Sequence, residues 1–259
     1  MNRAIRILCF LGFFLVNQAC QNKTETVSIM QQPNMAKLNI QLTDASCNYD
    51  SVLIEILSIE LITSAGDTNL PLNNPGIYNL LDLNNGLDTL LISSSLPSGT
   101  LSQIRLILGP NNHLVIDSIT HDLKTPSAQQ SGLKIQVHQE LQAGISYEIW
   151  LDFDVCKSIV AKGNGGFSLK PVIRSFTAAN SGAIQGIISP DTAVQYVFIV
   201  SNLDTIGTLP NPDGIFLLQG LDSGFYDVNF LGSGTYPDST IFGVGVILGQ
   251  ITDLDTVSF

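Results

Sequence analysis

The sequence predicts an all-β protein that contains two tandem β-sandwich domains. From Lys37 onward, apolar and polar residues alternate with a period of two, which is typical of strands with one face buried on a sheet. Turn-forming groups such as Pro97-Ser98-Gly99 interrupt this alternation. The composition is rich in Asp, Asn, Ser, Thr and Gly and poor in Glu and Lys, which favours turns and strands over exposed helices.

The first domain is predicted to span residues 37–176. Its strands are predicted at residues 38–42, 52–62, 102–108, 113–116, 133–138, 146–155 and 167–176. Residues 84–94 are predicted to form one short helix. This density of strands with so little helix favours a sandwich over a parallel α/β sheet.

The second domain is predicted at residues 183–259, after a small and polar linker at residues 177–182. Its centre reads as a strand with Phe216 and Leu218 on one face, followed by a turn closed by glycine. A return strand follows, and its apolar side chains share a face. These side chains are Tyr226, Val228 and Phe230.

The charge of the chain limits its partners. Of its 259 residues, 44% are apolar and 13% are charged, a composition that supports packed cores and is unlike that of a disordered chain. The formal net charge is -11, and removal of a leader with Arg3 and Arg6 leaves 9 basic and 22 acidic residues. A surface with this much negative charge repels phosphate backbones. Nucleic acid is therefore not an expected partner.

The N-terminus has the pattern of a secretory signal. Arg3 and Arg6 precede a short apolar segment at residues 7–16, which is about half the length of a membrane span. Ala19 and Cys20 then resemble a bacterial lipobox, and ordinary signal cleavage is the alternative. The resemblance implies a signal peptide at residues 1–19, lipidation of Cys20, a flexible tether up to residue 36 and a membrane partner. We therefore expect anchoring to the bacterial outer membrane, on its periplasmic or cell-surface face.

Six motifs occur in order along the first domain. They are Leu42-Thr43-Asp44-Ala45, Val52-Leu53-Ile54-Glu55-Ile56, Leu96-Pro97-Ser98-Gly99-Thr100 with Gln103-Ile104-Arg105-Leu106, Ser131-Gly132-Leu133-Lys134-Ile135, Leu151-Asp152-Phe153-Asp154 and Leu169-Lys170-Pro171-Val172-Ile173-Arg174. Together they resemble the lipoprotein family catalogued as domain of unknown function 4382. The resemblance implies an exported β-rich domain and supplies no known activity.

The second domain resembles the carboxypeptidase-regulatory-like, transthyretin-type β-sandwich. Two patterns carry the resemblance, the Asp-Gly-x-Phe that ends at Phe216 and the Gly-x-Tyr-x-Val that ends at Val228. Adhesins, glycan-binding modules and inert spacers share this superfamily. The resemblance therefore implies a fold and leaves the function open.

Cys47 and Cys156 are the cysteines that remain after a lipidated Cys20 and the leader's Cys9 are set aside. An exported protein meets an oxidising compartment, so an even pair favours a disulfide. Two buried free thiols are the alternative. A disulfide would bring the loop that follows Asp44 against the end of the strand at residues 146–155.

Strand parity then predicts a polar patch on that strand. Ile149, Leu151 and Phe153 share the core face, and the opposite face carries the chain's one Trp among carboxylates. The patch consists of Glu148, Trp150, Asp152 and Asp154, with Asp44 brought near by the disulfide.

Three interpretations of this patch remain open. The first is an outer sheet face whose Asp residues pair with Lys170 or Arg174, with Trp150 covered by a loop. The second is a shallow sugar site in which the indole stacks on a pyranose ring and carboxylates accept hydroxyl hydrogen bonds. The third is a weak Ca²⁺ alternative, because clustered Asp oxygens suit that ion. Its ligands would be Asp44, Asp152 and Asp154.

The sequence predicts no catalytic residues, and we expect no enzyme and no cofactor. Asp152 and Asp154 lie at i and i+2 on one strand face, which puts their carboxyl groups at a separation not far from that of the catalytic pair in glycosidases. However, the sequence predicts no cleft that would position a substrate between them. His113, His121 and His138 are scattered without a metal-ligand spacing.

Asp followed by Ser or Thr recurs through the chain and resembles an O-glycosylation acceptor motif of exported bacterial proteins. Turn formation by Asp-Ser and Asp-Thr explains the same pattern, and both explanations are compatible. The candidate acceptors are Ser51, Thr89, Ser118, Thr192, Thr205, Ser239 and Thr256.

These expectations define a non-enzymatic, lipid-anchored protein of the cell envelope that acts as a binding or structural module. Its partner would be a glycan or another envelope protein. A carbohydrate-binding lipoprotein of a glycan uptake system is the first alternative. A hydrolase with an unrecognised site is the second.

Overall fold

The computed structural model describes residues 34–44, 47, 49–125, 131–163, 165–201 and 204–259. The described residues all belong to one compact unit. The predicted signal peptide, Cys20 and the tether up to residue 33 lie outside the described residues. No helix in the described part of the chain is both long enough and apolar enough to cross a membrane.

The described residues confirm the all-β prediction, with several sheets packed as sandwiches. The first sandwich contains twelve strands: β1 (Met35–Asp44), β2 (Ser51–Thr63), β3 (Gly66–Asn79), β4 (Thr89–Pro97), β5 (Gly99–Leu108), β6 (His113–Ile116), β7 (Ile119–Lys124), β8 (Leu133–Leu141), β9 (Ser146–Phe153), β10 (Ile159–Ala161), β11 (Phe167–Leu169) and β12 (Ile173–Phe176). One sheet has the order β12-β9-β1-β4. The other has the order β10-β11-β7-β6-β2-β5-β8, with β3 paired to β2. A 3₁₀ turn at Leu80–Leu83 and the one-turn helix α1 at Val155–Ser158 lie between strands.

The two sheets share one hydrophobic core. Leu38, Ile40 and Leu42 on β1 alternate toward it, and the facing sheet contributes Ile54 and Ile104. β1 lies in the middle of its sheet, parallel to β9 and antiparallel to β4. Both neighbours therefore saturate the backbone hydrogen bonds of β1.

The strand β2 changes which of its faces is buried. Val52, Ile54 and Ile56 are buried, and from Ile59 onward the odd positions are buried instead. The register with both β3 and β5 shifts between Ile56 and Ser58. A β-bulge at Leu57 inserts one residue, so the strand keeps its apolar face on the core although the period of two is broken.

The short helix predicted at residues 84–94 is wrong. Asn85 and Gly86 have φ values of 54° and 82°, which interrupt a right-handed helix, and Thr89 already begins strand β4. Leu91 and Ile92 are buried, and β4 pairs along its length with β1. A long-range strand partner outweighed the local helical preference.

The described residues of the second sandwich form seven strands. They are β13 (Gly182–Ser189), β14 (Val194–Ser201), β15 (Asp204–Thr208), β16 (Ile215–Leu221), β17 (Gly224–Gly232), β18 (Ser239–Val246) and β19 (Ile251–Ser258). They form a sheet of order β16-β13-β19 and a sheet of order β15-β14-β17-β18. Phe216 and Leu218 are buried, as are Val228 and Phe230, and the half-buried Tyr226 packs against the same core.

The glycine-closed turn between β16 and β17 does not make a hairpin. The two strands belong to opposite sheets, and the rings of Phe216 and Phe230 meet edge to face across the core with centroids 5.6 Å apart. The apolar faces predicted for β16 and β17 therefore lie on opposite sheets and pack against each other across the core of the sandwich.

The predicted linker between the sandwiches is an ordered turn. The backbone and hydroxyl of Thr177 hold Asn180 and Ser181 through hydrogen bonds, and the Ser181 carbonyl accepts from the backbone N–H of Gly249. Strand β12 thus passes into β13 within a few residues. The polar patch around Trp150 and Asp152 lies at this junction between the two sandwiches.

Candidate functional site at the junction of the sandwiches

The Trp150 side chain lies on the outer face of β9 and is partly exposed. Its indole Nε1 donates to Asp88 Oδ2 at 2.7 Å. Phe176 is its register partner on β12, and the two rings lie within 8° of parallel with centroids 5.8 Å apart. The hydrogen bond and the stacked neighbour together fix the plane of the indole.

Asp152 is buried at the junction and pairs with Arg174. Arg174 Nε donates to Asp152 Oδ2 at 2.5 Å, and the Asp152 side chain is 4% exposed. Burial raises the pKa of Asp152, and the charge of Arg174 and its hydrogen bond oppose that rise. Within the described residues, Asp152 Oδ1 has no hydrogen-bond partner.

Arg174 also connects the two sandwiches. Its Nη1 donates to the Gly220 carbonyl at 3.2 Å, and its Nη2 donates to the Gln219 carbonyl at 3.0 Å. The guanidinium therefore joins a carboxylate of β9 to the backbone of β16. A planar fork with five donors suits this double role.

Asp154 lies outside β9 and caps the helix α1. Its Oδ1 accepts from the Lys157 backbone N–H at 3.0 Å, and its Oδ2 pairs with Lys157 Nζ at 2.8 Å. Lys157 also binds Asp204 and the Thr205 carbonyl on the second sandwich. Burial alone lowers the pKa of Lys157, but the hydrogen bonds to Asp154 and Asp204 outweigh it, so the pKa is raised.

Asp44 is buried beside the end of β9, where its Oδ1 accepts from the Val155 backbone N–H at 3.3 Å. The three carboxylates of the Ca²⁺ alternative are thus turned toward different partners: Val155 for Asp44, Arg174 for Asp152 and Lys157 for Asp154. In the parts of the chain that the structure describes, no group of three or more His, Cys, Asp or Glu side chains is arranged to hold a metal ion.

The disulfide between Cys47 and Cys156 is confirmed. It closes a separation of 109 residues and ties the segment after β1 to helix α1. Asp44 lies beside the end of β9 as predicted, and the parallel pairing of β1 with β9 makes it the register partner of Phe153. Glu148, by contrast, lies near the start of β9, on the far side of Trp150 from Asp152.

A groove of about 260 Å³ opens between the two sandwiches. Trp150 and Phe176 line it from the first sandwich, and Gln219, Gln250 and Ile251 line it from the second. Sequence reasoning found Trp150 but missed the other four residues. Nothing in the linear sequence brings β16 and the β18–β19 turn beside β9, so no local signal was available.

The candidate O-glycosylation acceptors differ in accessibility. Four are exposed and three are half-buried. The exposed ones are Ser118, Thr192, Ser239 and Thr256, and the half-buried ones are Ser51, Thr89 and Thr205. Modification of these hydroxyls stays a prediction.

Comparison with known families identifies the first sandwich. The family described as "Domain of unknown function (DUF4382)" matches residues 35–171. The chain belongs to this family. The resemblance noted in the sequence is thereby confirmed, and the DUF4382 match ends within the Leu169–Arg174 motif. Arg174, Phe176 and the whole second sandwich lie beyond it, so the junction joins DUF4382 residues to residues outside the family match.

No curated protein matches the sequence of this DUF4382 chain. Among solved structures, the TIE protein of Bacillus anthracis is 11% identical with a TM-score of 0.26, over 86% of this chain and 34% of that one. This chain therefore spans about a third of that protein's length. BcpA, the major pilin subunit of Bacillus cereus, is 9% identical with a TM-score of 0.25, over 86% and 69% of the two chains.

A candidate carbohydrate binding protein from Bacteroides uniformis is 9% identical with a TM-score of 0.22, over 81% of this DUF4382 chain and 99% of that protein. TM-scores this low do not support a transfer of function from any of the three proteins.

Proposed function

We propose that this chain is an exported protein, lipidated at Cys20, that is held on the outer membrane as a non-enzymatic binding or structural module. The disulfide between Cys47 and Cys156 is the observation that carries the proposal. Structural disulfides persist in oxidising compartments and are rare in the cytosol, where thiols are kept reduced. The basic and apolar N-terminal segment that ends at Cys20 supplies the route and the anchor.

The junction supports a module in which the two sandwiches act as one body. Arg174 binds Asp152 and two carbonyls of β16, and Lys157 binds Asp154 and Asp204. Charged side chains that bridge two elements in this way restrict their relative motion. We propose a carboxypeptidase-regulatory-like fold for the second sandwich, whose residues 183–259 would then serve as a second rigid unit.

The hydrolase alternative has weaker support. A glycosidase requires two carboxyl groups that both reach the substrate. Asp152 is 3% exposed and bound to Arg174, and Asp154 is used as the cap of helix α1. We expect no hydrolysis of a polysaccharide panel by the purified protein. Activity that Asp152→Asn abolishes would overturn this expectation.

Lipidation is tested by metabolic labelling with an alkyne analogue of palmitate in the native host. The wild-type protein should carry label and partition with detergent-extracted envelopes, and Cys20→Ala should lose both properties. Cys9→Ala is the matched control, because it removes a leader cysteine and keeps Cys20. Equal labelling of Cys20→Ala and the wild-type protein would refute the proposed anchor.

Export is tested separately by alkylating free thiols in intact cells before electrophoresis. Cys47 and Cys156 should be protected until a reductant is added. Free thiols at both positions would place the folded protein in a reducing compartment and refute the proposal.

A further inference from the structure

Two further concavities adjoin the groove between the sandwiches at the turn that joins them. On one side of the turn the groove is lined by Trp150 and Phe176, and Phe176 also lines an adjoining cavity of about 240 Å³ with Asp222. On the other side lies a recess of about 450 Å³ that Glu148 and Asn180 line. The three concavities share lining residues, and we refer to them together as the junction trough.

The aromatic part of the junction trough is already fixed in place. Trp150 is held by its hydrogen bond to Asp88 and by the parallel ring of Phe176. An aromatic face carries the negative part of its quadrupole, which attracts the positively polarised C–H groups of an apolar sugar face. A platform whose rotamers are fixed before binding loses little entropy when a ligand docks.

Several polar side chains that line the junction trough make no hydrogen bond within the described residues, although Ser181 and Gln139 donate to backbone carbonyls. The side-chain amides of Gln219, Gln250 and Asn180 make no hydrogen bond there, and neither do the carboxylates of Asp222 and Glu148. Amides both donate and accept, whereas ionised carboxylates only accept. The trough therefore offers more acceptors than donors, and a complementary ligand must supply many donors.

The lining also contains no Lys or Arg among the residues that the structure places around these three cavities. Glu148 and Asp222 place carboxylates in the two cavities beside the Trp150 groove, and the chain as a whole carries a net charge of -11. Uronic-acid or sulfated ligands would be repelled. The ligand chemistry that remains is neutral and rich in hydroxyl groups.

We propose that the junction trough binds a neutral oligosaccharide, with a pyranose ring on Trp150 and its hydroxyls bonded to Gln219 and Gln250. The proposal deepens the binding role stated above and rests on it. Aromatic-lined grooves also bind proline-rich peptides, but proline has no N–H and such peptides present mainly carbonyl acceptors. Hydroxyl donors match the acidic lining better.

The chain's single tryptophan makes the test direct, because Trp150 fluorescence reports on the trough alone. The full-length protein in detergent is titrated with hexaoses of cellulose, xylan, mannan, laminarin and amylose, each to about 10 mM, a range that detects millimolar affinity. Trigalacturonic acid and a proline decapeptide are the comparison probes. We expect at least one neutral hexaose to shift the emission and the two comparison probes to leave it unchanged.

Variants measured by calorimetry locate the site. Gln219→Ala and Gln250→Ala should each weaken binding about five-fold, the effect of one lost hydrogen bond. Trp150→Ala should weaken binding by roughly ten-fold or more, and Trp150→Phe should restore part of it. Gln195→Ala is the matched control, since Gln195 is an exposed glutamine on β14 that does not line the trough.

Three outcomes would overturn the proposal. They are no response to any neutral hexaose, binding of the proline decapeptide in their place, and binding that the glutamine variants leave unchanged. Each outcome is independent of the anchor, because Cys20 labelling would still report export and lipidation. Conversely, a lost Cys20 label with retained hexaose binding would remove the anchor and leave the trough.

Discussion

Replacing Arg174 with methionine tests how the two sandwiches are held together. The substitution keeps most of the side-chain volume and removes the guanidinium that binds Asp152 and the carbonyls of Gln219 and Gly220. The Asp152 carboxylate, 4% exposed, would remain buried without its counter-ion. Removing one partner of a buried pair costs about 3–5 kcal/mol, mostly because the remaining charge is uncompensated.

The chain contains a matched control for this substitution. Arg105 pairs with Glu60 at 2.9 Å, and the Arg105 side chain is 28% exposed, the same fraction as that of Arg174. The two pairs differ in the exposure of the carboxylate, because the Glu60 side chain is 29% exposed and the Asp152 side chain only 4%. Arg105→Met should therefore cost no more than about 1 kcal/mol, the usual range for a pair whose carboxylate water can still solvate.

Acid should reduce the cost of Arg174→Met. Burial raises the pKa of Asp152 even with Arg174 present. The folded state then binds this proton more tightly than the unfolded state, whose Asp pKa is about 3.9, so folding gains stability as the pH falls through the folded pKa. Without Arg174 the pKa of Asp152 rises further. The stability difference from wild type should shrink as the pH is lowered from about 7.

Urea denaturation of the oxidised protein measures these free energies, and calorimetry gives the melting temperature. A loss of about 3–5 kcal/mol lowers Tm by roughly 6–20 °C for a chain of this size. Asp152→Asn combined with Arg174→Met should recover part of the loss, because no buried charge is left unpaired. Equal losses for Arg174→Met and Arg105→Met would refute the reasoning, as would a loss that grows in acid.

Three further predictions concern the link, the turn and the surface. Reduction of the bond between Cys47 and Cys156 should cost about 4–5 kcal/mol in the chain-entropy account, and an unchanged urea midpoint in reductant would contradict it. Gly220→Ala should destabilise by about 1–3 kcal/mol more than Gly144→Ala. Both glycines have φ near +75°, but only at Gly220 would a Cβ lie 2.6 Å from the ring of Phe176, so equal urea midpoints would argue against that contact. Mass spectrometry of peptides from the native host should find glycan first on the exposed acceptors, and modification restricted to half-buried positions would contradict this order. The exposed acceptors are Ser118, Thr192, Ser239 and Thr256.

The sequence predicted strands best where the local period of two matches the pairing of the strand with its neighbours in the sheet. The period-two runs at β1, β5 and β9 were found, and the core face of β9, with Ile149 and Leu151, was read correctly. The helix predicted at residues 84–94 failed because β4 depends on β1, which precedes it by more than 40 residues. Local preference is a weak guide when a distant strand satisfies the backbone.

The sequence alone determined the fold class and the family of the first sandwich, and it predicted the pairing of Cys47 with Cys156 that the structure confirmed. Alternation, turn residues and an even cysteine count are properties of the chain in order, so they can be read without coordinates. Only the tertiary structure decided what each residue of the polar patch contacts. It buries Asp152 in a pair with Arg174, makes Asp154 the N-cap of helix α1, and places Trp150 beside glutamines of the second sandwich. These outcomes depend on which surfaces of two folded units meet, and sheet packing between segments distant in sequence is not written in any local period.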